Sequence, residues 1–206
     1  MNALAVNHHA DHPGFSGVTG SLFALMFLLT GRPGANLAAK LTGIGAGDHL
    51  VDIGCGPGTA ARVAAGRGAR VTGVDPSASM LRVARLVTRR HTGICWARGS
   101  AEALPVADSS ATVVWALATV HHWQDVSAGI VEAQRVLAPG GRLLAVERQS
   151  PPDATGVASH GWTLRQAEAF AALCRSTGMV DVDIADRREG RRAVWAVSAA
   201  AVARKS

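Results

Sequence analysis

Tyrosine is absent from the chain, and four Phe and five Trp are its only aromatic side chains in 206 residues. They are dispersed, so the platform of stacked rings on which single-stranded nucleic acids are held is missing. Cysteine is scarce too. Three residues, Cys55, Cys95 and Cys174, with no C-x-x-C pair, exclude a disulfide framework and a cysteine zinc site, and read as small apolar residues of a reducing compartment. Long apolar runs are also lacking. The longest, Leu22 to Leu29, is 8 residues, against about 20 for a membrane-spanning helix. No Lys or Arg precedes it, so it does not read as a signal peptide, and a cytoplasmic location is expected. Acidic residues number 15 against 21 basic ones, a net charge of +6. Nearly all the cations are Arg, scattered singly except at Arg89-Arg90 and at Arg187, Arg188, Arg191 and Arg192, so the basic balance alone does not specify a nucleic-acid partner.

Glycine, in contrast, is plentiful, at 23 residues, and three of them close one apolar strand. The stretch Val51-Asp52-Ile53-Gly54-Cys55-Gly56-Pro57-Gly58-Thr59 reads as a buried strand, from Asp48 to Ile53, running into a sharp turn. Pro57 suits the first turn of a helix that follows. A dinucleotide fingerprint needs G-x-G-x-x-G, and Thr59 stands where its third glycine would be. The G-x-G-x-G spacing after Asp52 favours a nucleotide cofactor without a pyrophosphate; the alternative is a tight turn with no ligand. A second β-branched run, Ala69 to Val74, ends in Asp75. A carboxylate there faces the same crevice in a parallel α/β unit and can accept from both hydroxyls of a ribose diol. The alternative is a solvated turn Asp before Pro76.

At these residues the chain resembles the class I S-adenosylmethionine-dependent methyltransferases, in particular the small-molecule branch called the type 11 methyltransferase domain. Val74-Asp75-Pro76-Ser77 with Met80 matches the family's V-D-x-S-x-x-M. Gly99-Ser100-Ala101-Glu102-Ala103-Leu104-Pro105 matches G-D-A-E-x-L-P, and Val136 to Leu144 matches V-L-x-P-G-G-x-L. The resemblance covers about residues 40 to 200. It implies that S-adenosylmethionine is the cofactor and S-adenosylhomocysteine the product. It also implies that Asp52, Gly54, Cys55, Gly56, Gly58, Asp75, Pro76, Met80, Ser100, Ala101, Glu102 and Ala116 line the cofactor site. Two departures stand out. Ser100 replaces the family's Asp, and a neutral hydrogen bond to adenine in place of a charged one weakens binding by about 1 kcal/mol. Ala111-Thr112 replaces a Phe-Asp pair, which concerns packing more than chemistry.

One domain is expected over residues 1–206: an N-terminal helical lid or appendage over 1–40, a cofactor-binding body over 41–150, and a C-terminal helix and hairpin over 151–206. Strands are expected at Ile94 to Ala97, Thr112 to Leu117 and Gly141 to Val146 as well. Helical periodicity spans Ser77 to Arg89, Ile130 to Leu137 and Leu164 to Ser176. Val180 to Ala185 and Ala193 to Val197 flank a turn at Arg188-Glu189-Gly190-Arg191. The fold class that follows is α/β, a Rossmann-like, doubly wound, mostly parallel seven-stranded sheet closed by an antiparallel C-terminal hairpin.

The acceptor side is read from what surrounds the cofactor body. Phe15 and the Leu22 to Leu29 run suit a hydrophobic lid over an apolar or aromatic small molecule; an ordinary packed helix and a lipid-interface helix are the alternatives. Val120-His121-His122-Trp123 follows strand four, at the edge where catalytic residues of such sheets gather, and matches the family's L-H-H. Either His121 or His122 can act as the general base, with His121 preferred, or the pair can cap a helix and line the pocket. His160, after strand five, is a further candidate. His8, His9 and His12 with Asp11 raise a metal site, but no metal is expected, a terminal segment being the plainer account. Nucleic acid is not the expected acceptor, since no Pro-Pro-aromatic tetrapeptide or Pro-Cys nucleophile follows strand four. An RNA methyltransferase and a non-catalytic, cofactor-binding partner subunit are the alternatives to small-molecule methyl transfer. Acceptor and oligomeric state are not readable from the chain.

Overall fold

The computed structural model describes residues 31–89, 93–154 and 159–203. The expected lid residues Phe15 to Leu29, and His8, His9 and His12, lie outside the described residues. At the centre of a seven-stranded sheet, β1 (His49–Ile53) pairs in parallel with β2 (Arg70–Asp75) on one side and β4 (Ala111–Leu117) on the other. Parallel β3 (Ile94–Arg98) flanks β2, and parallel β5 (Leu137–Arg148) flanks β4. Beyond β5, β7 (Arg192–Ala200) runs antiparallel to both β5 and the edge strand β6 (Val180–Glu189). The order β3-β2-β1-β4-β5-β7-β6 is the expected mostly parallel sheet closed by a hairpin. Strand order reverses between β1 and β4, and the crevice above their carboxyl ends is where ligands bind in such sheets.

Period-two alternation builds two cores. Leu50, Val71, Val113, Trp115 and Leu144 face one layer, where Ala38 and Ala39 of α1 (Arg32–Thr42) and Ala61 and Ala64 of α2 (Thr59–Ala65) pack. Val51, Ile53, Val114, Ala116, Leu143 and Ala145 face the other. That side is covered by Ile130 and Ala133 of α4 (Val126–Val136) and by Ala167, Phe170 and Ala171 of α5 (Leu164–Ser176). Between β2 and β3, α3 (Ala78–Val87) buries Met80, Leu81 and Ala84. Alanine dominates the helix faces, which brings the helices close to the sheet.

Several boundaries move, each for a local reason. Residues 32–42, drawn with the N-terminal appendage up to residue 40, form a helix that covers the sheet, with Ala38 fully buried. Gly58 is the N-cap of α2, which places Pro57 ahead of that helix and not in its first turn. Asp125 caps α4 by accepting from the Ala128 N–H at 3.0 Å, and the helix begins before Ile130. The Pro139-Gly140-Gly141 segment lies inside β5. Leu137 pairs with Ala111, the register shifts, and Arg142 pairs with Val113, with Gly140 at φ +74° absorbing the irregularity.

Phe170 is fully buried between Trp162 and Trp123, with ring centroids 4.9 and 6.4 Å away. Phe170→Ala is expected to cost about 3–5 kcal/mol in urea unfolding. Leu86→Ala, at a position 60% exposed, is expected to change stability by less than about 0.5 kcal/mol.

Candidate active site

The glycine loop is folded back on β2. The N–H groups of Gly54 and Cys55 both donate to the Val74 carbonyl, at 2.8 and 3.0 Å. Gly54 sits at φ +67°, and a Cβ there would lie 2.0 Å from the Thr119 hydroxyl oxygen. This close approach locks the β1 loop to the β4 loop. Gly56 is different. At φ +52° a Cβ would meet nothing within 4 Å, so its Cα borders open space, while its N–H donates to Asp75 Oδ2 at 2.8 Å. That is a cradle into which a ligand can lie against bare backbone.

Two buried carboxylates line it. Asp75 also accepts from the Ser77 N–H, at 2.8 Å on Oδ1. Burial raises its pKa, and these two N–H bonds oppose the rise. Asp52 is 2% exposed, and its Oδ2 has no partner in the protein. Burial, then the charge of Asp75, push its pKa up to about 7 against one backbone N–H from Ala61. An orphaned buried carboxylate oxygen and an open glycine face fit a ligand that brings a cation and a diol.

The other expected cofactor residues sit in varied surroundings. Met80 is buried in the first turn of α3, whose N-cap, Ser77, accepts from the Met80 N–H at 3.3 Å. Pro76 is exposed directly beyond Asp75. Ser100 forms an isolated bridge with Ala103, and Ala101 is buried in the core. Glu102 serves the backbone, its Oε1 accepting from the Gln124 and Asp125 N–H groups, at 2.8 and 3.2 Å, and so holding the approach to α4. Ala116 is fully buried between Ile53 and Ala145 in the sheet. Cys55 is buried, and burial first, then Asp52 and Asp75, raise its thiol pKa well above the ordinary value, so it packs as a neutral group.

On the β4 side the chain leaves the sheet through Ala118, a non-glycine residue at φ +51°, a left-handed conformation that costs about 1–2 kcal/mol. This bend sets Thr119 on Gly54 and starts the 3-10 turn Val120–His122. Glu147, at the end of β5 and 1% exposed, accepts from the Val120 N–H at 2.7 Å and from His121 Nδ1 at 2.9 Å. Burial disfavours the His121 imidazolium, but the charge and hydrogen bond of Glu147 outweigh it and hold the pKa above the usual imidazole range. The ring centroid of His122 is 4.1 Å from that of His121, and His160 lies 5.4 and 5.9 Å from the two. Glu147 was not among the expected site residues. Its only sequence signal is an acid ending an apolar strand, Leu143 to Val146.

A groove of about 350 Å³ lined by Leu41, Thr42, Arg142, Asp183 and Arg187 lies elsewhere. Arg142 lies toward the amino end of the β5 segment that pairs with β4, opposite the edge that carries Glu147. Among the described residues no helix is long and apolar enough to cross a membrane.

A doubly wound sheet with an acid-lined glycine cradle at its switch point defines a nucleoside-binding Rossmann-like domain. Residues 51–145 match the family described as "Methyltransferase domain". The chain is 35% identical over 114 residues to a demethylmenaquinone methyltransferase of Tropheryma whipplei, covering 55% of this chain and 47% of that protein. It is 32% identical over 170 residues to the 27-O-demethylrifamycin SV methyltransferase of Amycolatopsis mediterranei, covering 75% of this chain and 62% of that protein. The fold is similar to that of a SAM-dependent methyltransferase from Aquifex aeolicus, with TM-score 0.70, 15% identity, and 82% and 89% of the two chains covered. Over residues 51–145, somewhat under half of its length, the chain matches the methyltransferase-domain family, and its fold is that of S-adenosylmethionine-dependent methyltransferases. It spans about half the length of the curated relatives it matches.

Because the folded protein binds a proton at Asp52 up to about pH 7, whereas an unfolded Asp releases it near its ordinary value, stability of the free protein should fall as pH rises between these limits. Asp52→Asn is expected to flatten this slope and to stabilise the ligand-free protein at pH 8 by about 2–4 kcal/mol, read from urea unfolding at a series of pH values.

Proposed function

We propose that the chain transfers a methyl group from S-adenosylmethionine to a small, apolar or aromatic acceptor, with His121 as general base and Glu147 as its positioning residue. The observation that carries this reading is the His121–Glu147 pair, 2.9 Å apart at the carboxyl edge of the sheet. It is tied to the glycine cradle through Thr119 on Gly54. Asp52, Gly54, Gly56, Asp75 and Met80 would hold the cofactor, which supplies a methyl group already activated on a sulfonium. Ser100 would offer one neutral bond where the resemblance leads one to expect a carboxylate.

What remains for the protein is alignment and a proton. Holding the acceptor in line can supply about 7–11 kcal/mol of the barrier. Glu147 accepts Nδ1–H, which leaves Nε2 of neutral His121 as the acceptor of a hydroxyl proton. The raised pKa makes it a stronger base once neutral, and confines its activity to higher pH. The relatives' names, demethylmenaquinone and 27-O-demethylrifamycin SV methyltransferase, support an acceptor that is not a macromolecule and, in one case, a hydroxyl.

Calorimetry should show binding of S-adenosylmethionine and S-adenosylhomocysteine, with protons released below about pH 7 as the ligand's cation ionises Asp52. No heat at about 1 mM ligand, an affinity weaker than about 4 kcal/mol, overturns the cofactor assignment. With a panel of hydroquinones and naphthols as acceptors, His121→Gln should slow turnover by about 10²–10⁴-fold and leave cofactor affinity alone. Glu147→Gln should shift the rising limb of the kcat/KM pH profile to lower pH. Methylation of RNA with none of the small acceptors would reverse the substrate assignment.

A further inference from the structure

Three imidazoles converge where the proposed base stands, more than proton transfer from one acceptor requires. We propose that His121, His122 and His160 form a site for one divalent transition-metal ion of the zinc class, with Glu147 as its outer-shell carboxylate. One ring nitrogen from each of the three lies within 4.8 Å of the others. Tetrahedral zinc, with nitrogens at about 2.0–2.1 Å, holds its ligand atoms about 3.4 Å apart, so a contraction of at most about 1.4 Å closes the site.

The residues are held for this from two strands. His121 and His122 share the turn after β4, and His121 is oriented by Glu147. His160 comes from the connection after β5, and its neighbours anchor it to the strand that carries Glu147. The Trp162 N–H donates to the Arg148 carbonyl at 2.8 Å, and the Ser150 N–H donates to the Trp162 carbonyl at 2.9 Å. Gly161 lets this happen, since a Cβ there would lie 2.3 Å from the Arg148 carbonyl oxygen. Trp162 itself is 1% exposed.

The donor set selects the ion. Neutral imidazoles suit zinc, cobalt, nickel and copper, whereas calcium and magnesium take oxygen ligands. A carboxylate on the far nitrogen of a ligating histidine fixes its tautomer and raises its basicity, which is the position of Glu147 on Nδ1 of His121. Among the described residues the group has three members, so a fourth coordination position stays open, as in zinc sites that bind a water or a substrate. The ion site shares His121 and Glu147 with the methyl-transfer reading but does not depend on that reading being right. Where that reading holds, Nε2 of His121 cannot carry an ion and accept a proton together, and zinc should suppress transfer.

The test uses the full chain without a histidine tag, stripped of metal and titrated with Co²⁺. One equivalent is expected to give the visible bands of tetrahedral cobalt, displaced by Zn²⁺. His122→Gln and His160→Gln should each weaken Co²⁺ binding at least 100-fold, and Glu147→Gln by about 10–100-fold. The variant with His8→Ala, His9→Ala and His12→Ala should bind as the parent does. X-ray absorption of the zinc-loaded parent, which depends on no variant, should count three imidazoles at about 2.0–2.1 Å. Absence of the cobalt bands, fewer than three imidazoles, or binding lost in the N-terminal triple variant and kept in His160→Gln would each overturn the proposal.

Discussion

A buried carboxylate with both oxygens occupied holds the functional edge of the sheet together. Glu147 takes the Val120 N–H on one oxygen and His121 on the other, and so joins the end of β5 to the exit of β4. Removing such a charge from water costs several kcal/mol, offset only while its partners stay in place. The turn after β4 therefore has little freedom to drift. Its first residue, Ala118, is held at positive φ, and Thr119 presses on Gly54. Through that contact the glycine loop and the histidine pair become one rigid unit, although they belong to different strands.

The cradle itself runs against stability. Asp52 and Asp75 lie close enough for the charge of one to raise the pKa of the other, and Asp52 keeps an oxygen without a partner. A protein selected for stability alone would place an amide or an apolar group there. The arrangement makes sense when a cationic ligand is part of the structure, because the ligand's charge then favours the ionised Asp52 that burial and Asp75 disfavour in the free protein. Strain of this kind concentrates at functional sites.

What could be read in the sequence was local or periodic. Leu50 and Val51 alternate between two cores, as do Val113 and Val114, and this pattern alone fixes a sheet covered on both sides. The glycine loop and Asp75 were legible because each spacing lies within one β-loop-α unit. The start of α4 was missed because Asp125 decides it from outside the apolar pattern, and the length of β5 because a register shift beside Ala111 lets Leu137 pair across a Pro-Gly-Gly segment. Glu147 escaped because its partner His121 is 26 residues away in sequence. The backbone role of Glu102, whose Oε1 accepts from the Gln124 and Asp125 N–H groups, has no sequence signal either, because those partners are 22 and 23 residues away.

Net charge was the least informative descriptor, for a physical reason. The chain carries +6, but the charged residues that are buried among the described ones are Asp52, Asp75 and Glu147, all acidic. They end β1, β2 and β5 at the same edge of the parallel sheet. Exposed arginines are screened within about 10 Å at ordinary ionic strength, whereas buried carboxylates act in a low-dielectric surrounding. The field a ligand meets at this edge is therefore set by the buried carboxyl groups of Asp75 and of Asp52, the latter ionised above about pH 7, with Glu147 shared with His121, and not by the arginines that dominate the composition. A ligand carrying a sulfonium and an ammonium is complementary to it.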